Sequence, residues 1–369
     1  MTDTRAIPGS PDIQIWVVHH NCKNHCRHCF LGPAPRQSIL PDTAATCAVS
    51  TALGFDTHVY TSNLANEEFP ELCKMGDCLV PNLQVETGNV EDNLHPRTGP
   101  VGVSLLSRDP EVHDAITRKG NHAKALAVME QLRQRGIAYS VWTVVYAESH
   151  TDLPAFYEFV LSMGASEVYV NKLVMLGNSA ALPHDTFLDT AEIERALRDT
   201  VAVMADFRRR GLTITMQAAW GPLLTPFEKL MYENGASLAQ KSYCPGAHSS
   251  FGVDPVKRGV WPCYFTLTVD PLRIGTLDPE RGLVLDQDWP YHPERIGEPC
   301  RSCSLMPACG GGCRGMSMVE HLLRDGALDH YAGFRNCPVN LGIFLPSEWR
   351  TEAASLRSFE VQRGMVPYH

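Results

Sequence analysis

Apolar residues recur along the first two thirds of the chain in two alternating rhythms. Runs at Ile13–Val18, Thr57–Thr61, Leu79–Val85, Val101–Leu106, Tyr139–Tyr146 and Glu167–Met175 are short and rich in β-branched and aromatic side chains, and they read as strands. Between them lie helical patterns. The clearest spans Asp109–Arg135, with Ala115, Ala123, Leu126, Met129 and Leu132 on one face, and a second spans Leu153–Met163. Gly136 and Gly164 close these two helices, each followed by a new apolar run, as C-cap glycines do. Two further helices are expected at Thr190–Arg210 and Leu223–Tyr232. Strands alternating with helices imply parallel βαβ units. About six such units precede residue 220, so the pattern predicts an α/β fold curled into a barrel or partial barrel. After Tyr243 the texture changes: Gly, Pro and Cys become dense and helical periodicity fades. The expected organisation is an N-terminal tail over 1–12, a partial barrel over 13–235, a Cys-rich domain over 236–340 and a C-terminal extension over 341–369.

Composition narrows the class. A hydrophobic share of 44% and a charged share of 20% are those of an ordinary globular protein. The net charge is −9, from 32 Lys+Arg against 41 Asp+Glu, and the one basic run is Arg208-Arg209-Arg210. Nucleic acid and anionic membranes reward clustered basic residues, so neither is an expected partner. No apolar core of a signal peptide is visible near the start, and Tyr139–Tyr146 is far short of the ~20 residues a membrane helix needs. A cytoplasmic protein is expected. In that compartment thiols stay reduced, so thirteen cysteines read as metal ligands rather than disulfides.

The cysteines are clustered. Cys22, Cys26 and Cys29 sit on one short segment directly after the first strand candidate, and Cys47, Cys73 and Cys78 are scattered. Three thiolates on one loop can hold three irons of a cubane cluster and leave the fourth open to an external ligand. A structural zinc site, with His25 or His28 as fourth ligand, is the competing reading. The C-x3-C-x2-C spacing, with Phe30 after the last cysteine, resembles the signature of the radical S-adenosylmethionine (SAM) superfamily. The resemblance implies a partial (β/α)6 radical SAM barrel, and a [4Fe–4S] cluster whose open iron chelates SAM. One electron then cleaves the sulfonium to a 5′-deoxyadenosyl radical, which abstracts a substrate hydrogen. An electron donor such as flavodoxin or ferredoxin is implied as well.

Val103 to Asp114, followed by Arg118 and Gly120, resembles the strand-plus-HD segment of the family's peptide-modifying branch, and Val85-Glu-Thr-Gly-Asn89 weakly resembles its TNG turn. By this resemblance Ser104 and Arg118 are candidates for contacts to the nucleoside and carboxylate of SAM, arginine's planar fork being suited to a carboxylate. The family's Gly-Gly-Glu after the second strand, which holds the methionine amino group, is missing. Tyr60-Thr-Ser-Asn-Leu-Ala-Asn-Glu-Glu68 stands in its place, making Ser62, Asn63 and Glu67 the candidates for that contact.

Seven cysteines fall between 244 and 337, among them Cys300-x2-Cys303-x5-Cys309-x3-Cys313. Two CxxC-like pairs alone suit a zinc knot, but seven exceed one zinc site. With the Gly310-Gly-Gly312 run, where backbone can approach a cluster closely, they resemble the SPASM extension. That implies two auxiliary [4Fe–4S] clusters: auxiliary cluster I on Cys244, Cys263 and Cys313, with its fourth ligand open, and auxiliary cluster II on Cys300, Cys303, Cys309 and Cys337.

Auxiliary clusters beside a radical site can accept the electron left after hydrogen abstraction, while a base takes the proton. The sulfatase-maturing members carry Asp after the cysteine aligned with Cys263. Tyr264 occupies that position, which disfavours sulfatase maturation and makes Tyr264 a candidate proton or radical relay, or simply a packed aromatic. Most proteins with this extension modify ribosomal peptides, so oxidative modification or crosslinking of a peptide is expected. Dehydrogenation or epimerisation of a sugar or other small natural product is the alternative. A zinc-binding adaptor or an electron-transfer iron–sulfur protein is the non-enzyme reading. Only about a dozen residues precede the first strand candidate, so leader recognition is expected to need a separate protein.

Overall fold

The computed structural model describes residues 5–20, 22, 26–33, 37–61, 68–72, 101–117, 120–216, 220, 249–286, 296–298, 300–303, 312–329 and 337. Parallel strands alternate with helices through the first part. The order is β2 (Gln14–His19), α1 (Leu40–Ala52), β3 (Asp56–Thr61), α2 (Phe69–Leu72), β4 (Val101–Ser104), α3 (Pro110–Thr117), α4 (Asn121–Gln134), β5 (Tyr139–Val145), α5 (Leu153–Ser162), β6 (Glu167–Lys172), α6 (Thr190–Arg209) and β7 (Thr213–Met216). β4, β5, β6 and β7 form one parallel sheet in that order, and β2 pairs in parallel with β3. Strand candidate Leu79–Val85 and helix candidate Leu223–Tyr232 lie outside the described residues.

Alternation along the strands divides inside from outside. Val101 and Val103, Val141 and Val145, Val168 and Val170, and Ile214 and Met216 pack in one core with Val128, Met129 and Leu132 of α4, Phe156 and Val160 of α5, and Leu197 and Met204 of α6. The intervening positions face the concave side, where Trp142 stacks on Tyr169 at 4.4 Å between ring centroids. On β2 and β3 the same rule puts Ile15, Val17 and Val59 against α1, and Trp16 stacks on His58 on the other face.

The expected helix over Asp109–Arg135 is two helices. α3 ends at Thr117, and Gly120 adopts φ +86° immediately before α4, a conformation disfavoured for residues with a Cβ. The apolar spacing steps from Ala115 to Ala123, so it carries no trace of the break. α6 starts as its sequence suggests. The Asp189 carboxylate accepts from the Glu192 N–H at 2.9 Å, and the Glu192 carboxylate accepts from the Asp189 N–H at 2.8 Å, a reciprocal capping box.

Four strands in the Cys-rich part were not anticipated: β8 (Ser250–Val253), β9 (Gly259–Trp261), β10 (Gly275–Asp278) and β11 (Gly282–Leu285). β8 pairs in parallel with β2, on the edge opposite β3, and leads an antiparallel series through β9 and β10 to β11. Residues Arg5–Ile7, read above as part of a tail, form β1 and pair antiparallel with β11. One sheet therefore runs from the start of the chain, through the Cys-rich part, to β2 and β3. Among the described residues a further helix, α7 (Arg314–Asp325), begins directly after Cys313.

Candidate active site

β2 delivers the first cysteine group. Cys26 is buried, while Cys22 and Cys29 are partly covered, and none forms a disulfide. The loop is tied at several points. The Cys29 N–H donates to Cys26 O at 3.2 Å, and His20 Nε2–H donates to Gly32 O at 2.9 Å. Arg27 donates its backbone N–H to Ile116 O at 2.9 Å and its guanidinium to Ala115 O at 3.2 Å, anchoring the loop to the last turn of α3. From the turn after β6, the Asn178 N–H donates to Cys29 O at 2.8 Å and its side-chain Nδ2 donates to Cys26 O at 3.0 Å. Nothing in the sequence marked Asn178. Its partners lie about 150 residues away, and only the fold brings them together.

Burial pushes the Cys29 thiol up to about 11, only partly offset by the Leu31 N–H, with nearby Cys22 adding to the rise. Thiolates are costly in such a place unless a metal compensates their charge. Among the described residues no three His, Cys, Asp or Glu side chains converge on a point that would hold a single metal ion. A cubane asks for something else, because each cysteine binds its own iron. Three reduced thiols on one pinned loop fit that donor set. Next to them burial holds His28 neutral, with a pKa of about 4, and the ring hydrogen-bonds the Ile116 carbonyl.

Ser104 ends β4 at the same strand end as the cysteine loop and pairs in register with Trp142. Ser62, Asn63, Glu67 and Arg118 lie outside the described residues. At the end of β2 the structure shows a network the sequence did not suggest. His19, fully buried at the end of β2, places Nδ1 2.9 Å from Thr43 Oγ1 and Nε2 3.1 Å from Glu68 Oε2, and Ser38 also donates to Glu68. Thr43 spends its own proton on Ile39 O, so His19 Nδ1 must donate to Thr43. The contact with Glu68 then shares one proton between imidazole and carboxyl. Burial pulls the His19 pKa down against the pull of Glu68.

The HD pair organises the α3–α4 junction. His113 Nδ1 accepts from the Leu106 N–H at 3.0 Å, and the Asp114 carboxylate accepts from the N–H groups of Gly120 and His122 at 2.5 and 2.8 Å. Burial opposes the Asp114 charge, but those two N–H donors outweigh it and hold the pKa below the usual carboxylate value. The stabilisation is therefore full above the unfolded carboxyl pKa of about 3.9 and disappears as pH falls through the lower folded value. Asp114→Ala is expected to cost about 1 kcal/mol at neutral pH. Thermal denaturation from neutral to acid pH should show the difference between variant and parent vanishing at the acid end; a constant difference would contradict this role.

The second cysteine group lies across the loop. Cys263 follows β9 and opens a short 3-10 turn, Tyr264–Thr266. Cys313 precedes α7, and the Cys303 N–H donates to Cys300 O at 3.1 Å. Cys313 and Cys337 each pack against the core of Trp261, Leu272, Met316, Met318 and Val319. Cys244 and Cys309 lie outside the described residues. Lys172, at the end of β6, is only 7% exposed, and its burial lowers its pKa against the pull of Glu320 and Cys313. Tyr264 stands in an aromatic cluster between the two cysteine regions. It stacks on Tyr60 at 5.0 Å and contacts Phe265 at 4.6 Å, Trp16 at 5.6 Å and Phe30 at 6.2 Å. Phe30, adjacent to Cys29, also meets Phe265 at 4.7 Å, so its ring contacts with Tyr264 and Phe265 join the Cys29 loop to the Cys263 turn.

No protein-family model matches the chain. Among curated proteins, it is 22% identical over 338 residues to the AdoMet-dependent heme synthase of Oleidesulfovibrio alaskensis, spanning 83% of this chain and 84% of that protein. It is 27% identical over 235 residues to the mycofactocin maturase MftC of Mycolicibacterium smegmatis, spanning 61% of this chain and 55% of that protein. Among solved structures, Streptococcus suis SuiB bound to the precursor peptide SuiA aligns with a TM-score of 0.63 at 13% identity, covering 90% of this chain and 76% of SuiB. The anSMEcpe structure with bound AdoMet aligns with a TM-score of 0.63 at 15% identity, covering 97% of this chain and 96% of that one. Sequence relatives and fold neighbours agree: the chain's homologues are radical SAM enzymes, and its α/β fold is that of SuiB and anSMEcpe.

Proposed function

We propose that the chain reductively cleaves S-adenosylmethionine and abstracts a hydrogen from a substrate peptide, ending in its oxidative modification or crosslinking. The observation that carries this reading is the loop of Cys22, Cys26 and Cys29, pinned at the strand end of the barrel beside a second, cysteine-bearing region. When bound, a [4Fe–4S] cluster on those thiols and its SAM supply the electron and the 5′-deoxyadenosyl radical. The protein's own residues do the rest. Ser104 faces the nucleoside, with Ser62, Asn63, Glu67 and Arg118 proposed for the amino and carboxylate groups. Phe30, Tyr60, Trp16 and Tyr264 line a mostly apolar wall that keeps water from the radical.

Loss of a hydrogen atom and then a proton leaves one electron on the substrate. Cys244, Cys263 and Cys313, and Cys300, Cys303, Cys309 and Cys337, would hold two auxiliary clusters, which when bound would supply an acceptor for that electron. Tyr264 is the proposed proton or radical relay, and a small redox protein of the flavodoxin or ferredoxin kind the electron source. The peptide reading draws on the precursor peptide bound to SuiB and on MftC being named a maturase. The match to an AdoMet-dependent heme synthase, which spans most of this chain, favours a small-molecule substrate, and so the dehydrogenation or epimerisation of a small natural product, as the second reading. Anaerobic turnover with dithionite, SAM and short peptides encoded beside the gene separates the two. Peptide losing two hydrogens per deoxyadenosine formed supports the first; unchanged peptide, with oxidation of a small alcohol or carboxylic acid instead, contradicts it.

A further inference from the structure

Gly177 and Asn178 follow β6 in a short 3-10 segment, Gly177–Ala181, and three observations give that segment a role toward the catalytic loop. The first is the pair of hydrogen bonds already described. The backbone N–H of Asn178 holds the Cys29 carbonyl, and its side-chain amide holds the Cys26 carbonyl. One residue thus grips both ends of the C-x2-C step. The second is contact distance. Gly177 sits at φ +57°, and a Cβ there would lie 2.4 Å from Phe30 O and 2.6 Å from Cys29 O. The turn presses on the cysteine loop so closely that only glycine fits.

The third observation is how the turn itself is held. Ser179 is fully buried; its hydroxyl accepts from the Leu176 N–H at 3.0 Å and donates to Leu176 O at 2.6 Å. Leu176 is buried among Trp261, Leu272, Met316, Met318 and Val319, the same core that Cys313 and Cys337 join. A rigid turn therefore has its apolar foot in the Cys-rich region and its polar hand on the catalytic loop.

We propose that Asn178, with Gly177, is a positioning residue for the catalytic iron–sulfur site, fixing the Cys26 and Cys29 carbonyls from a turn anchored by the auxiliary region. This rests on the radical SAM reading above. Asn178 contacts the Cys26 and Cys29 carbonyls, not iron or substrate. It acts through the cysteine backbone, and loss of such supporting contacts around a metal site typically lowers affinity or activity about 10- to 100-fold.

Two substitutions of the full-length, anaerobically reconstituted protein test it. Asn178→Ala removes the side-chain donor. Asn178→Asp keeps the size but sets a carboxylate against the Cys26 carbonyl, which packing alone would tolerate. The probe is SAM, and the readout is the SAM-induced change in the electron paramagnetic resonance signal of the reduced cluster. The expected result is a loss of SAM affinity of roughly tenfold in Asn178→Ala and more in Asn178→Asp, with the iron of the auxiliary region retained. Three results would overturn the proposal: a wild-type response in both variants, a wild-type response in Asn178→Asp alone, or loss of iron from every site in step with thermal stability. If the parent protein itself shows no SAM-responsive cluster, the radical SAM reading is what fails, so the two failures are distinct.

Discussion

Cys26→Ala is expected to remove one cluster's iron and all deoxyadenosine formation while leaving the protein folded. Cys26 is 6% exposed, and its side chain is small, so the packing lost is modest, about 1 kcal/mol. The loop's other ties do not depend on the thiol. Arg27 still reaches Ile116 and Ala115, and Asn178 still holds the two backbone carbonyls. What disappears is one of three ligands, and a cubane held by two thiolates is not expected to persist. With the two proposed auxiliary clusters filled as well, about four of roughly eleven to twelve irons should be lost. Iron analysis, together with product analysis after anaerobic turnover, checks this. Retention of the full iron content with undiminished deoxyadenosine would mean that the cleavage chemistry is not based at this loop.

Trp261→Ala should produce the largest loss of stability. The indole is 1% exposed at the end of β9, and its Nε1–H donates to Val269 O at 3.1 Å. It fills the space between Leu176 of the barrel turn and Met316, Met318 and Val319 of α7. Truncating a buried tryptophan costs about 3–5 kcal/mol through lost transfer energy and the cavity left behind. The orphaned Val269 carbonyl adds about 1 kcal/mol or more. Cys263 lies only two residues on, so the auxiliary cysteines are expected to lose iron more readily than the loop at Cys26. Trp261→Phe should recover most of the packing and leave a deficit of about 1–2 kcal/mol from the missing donor. Anaerobic chemical denaturation gives both values. A Trp261→Ala protein within about half a kcal/mol of the parent would show that this core does not hold the two regions together.

How much of this was visible in the sequence depends on how far apart the cooperating residues are. The cysteine loop and the strand before it are local, and the apolar alternation of β2 through β6 is strong, so both were legible. So were α5 and α6, whose caps and periodicity lie within a few residues. The α3–α4 break was not, because Ala115 and Ala123, which carried the expected stripe across it, are both exposed and small, and the Asp114 carboxylate that organises the turn resembles any surface acid. Strands β8 to β11 were missed because each is only three or four residues long and stands among glycines and prolines. Their existence depends on pairing with β2 and with β1, near the other end of the chain. Among the site residues, His19 with Glu68, and Asn178 with Cys26, are unremarkable in sequence. Their meaning comes from contacts 49 and 152 residues apart. The aromatic cluster at Tyr264 likewise joins four separate segments, which no local pattern announces.

Reductive cleavage of S-adenosylmethionine is proposed to depend on the thiols of Cys22, Cys26 and Cys29. Its most direct test is to purify and reconstitute the full chain without oxygen, reduce it with dithionite, add SAM and quantify 5′-deoxyadenosine. Brown, iron-rich protein that forms deoxyadenosine and methionine in equal amounts, with none formed by Cys26→Ala, is the expected result. Colourless, zinc-bearing protein that leaves SAM intact would contradict it.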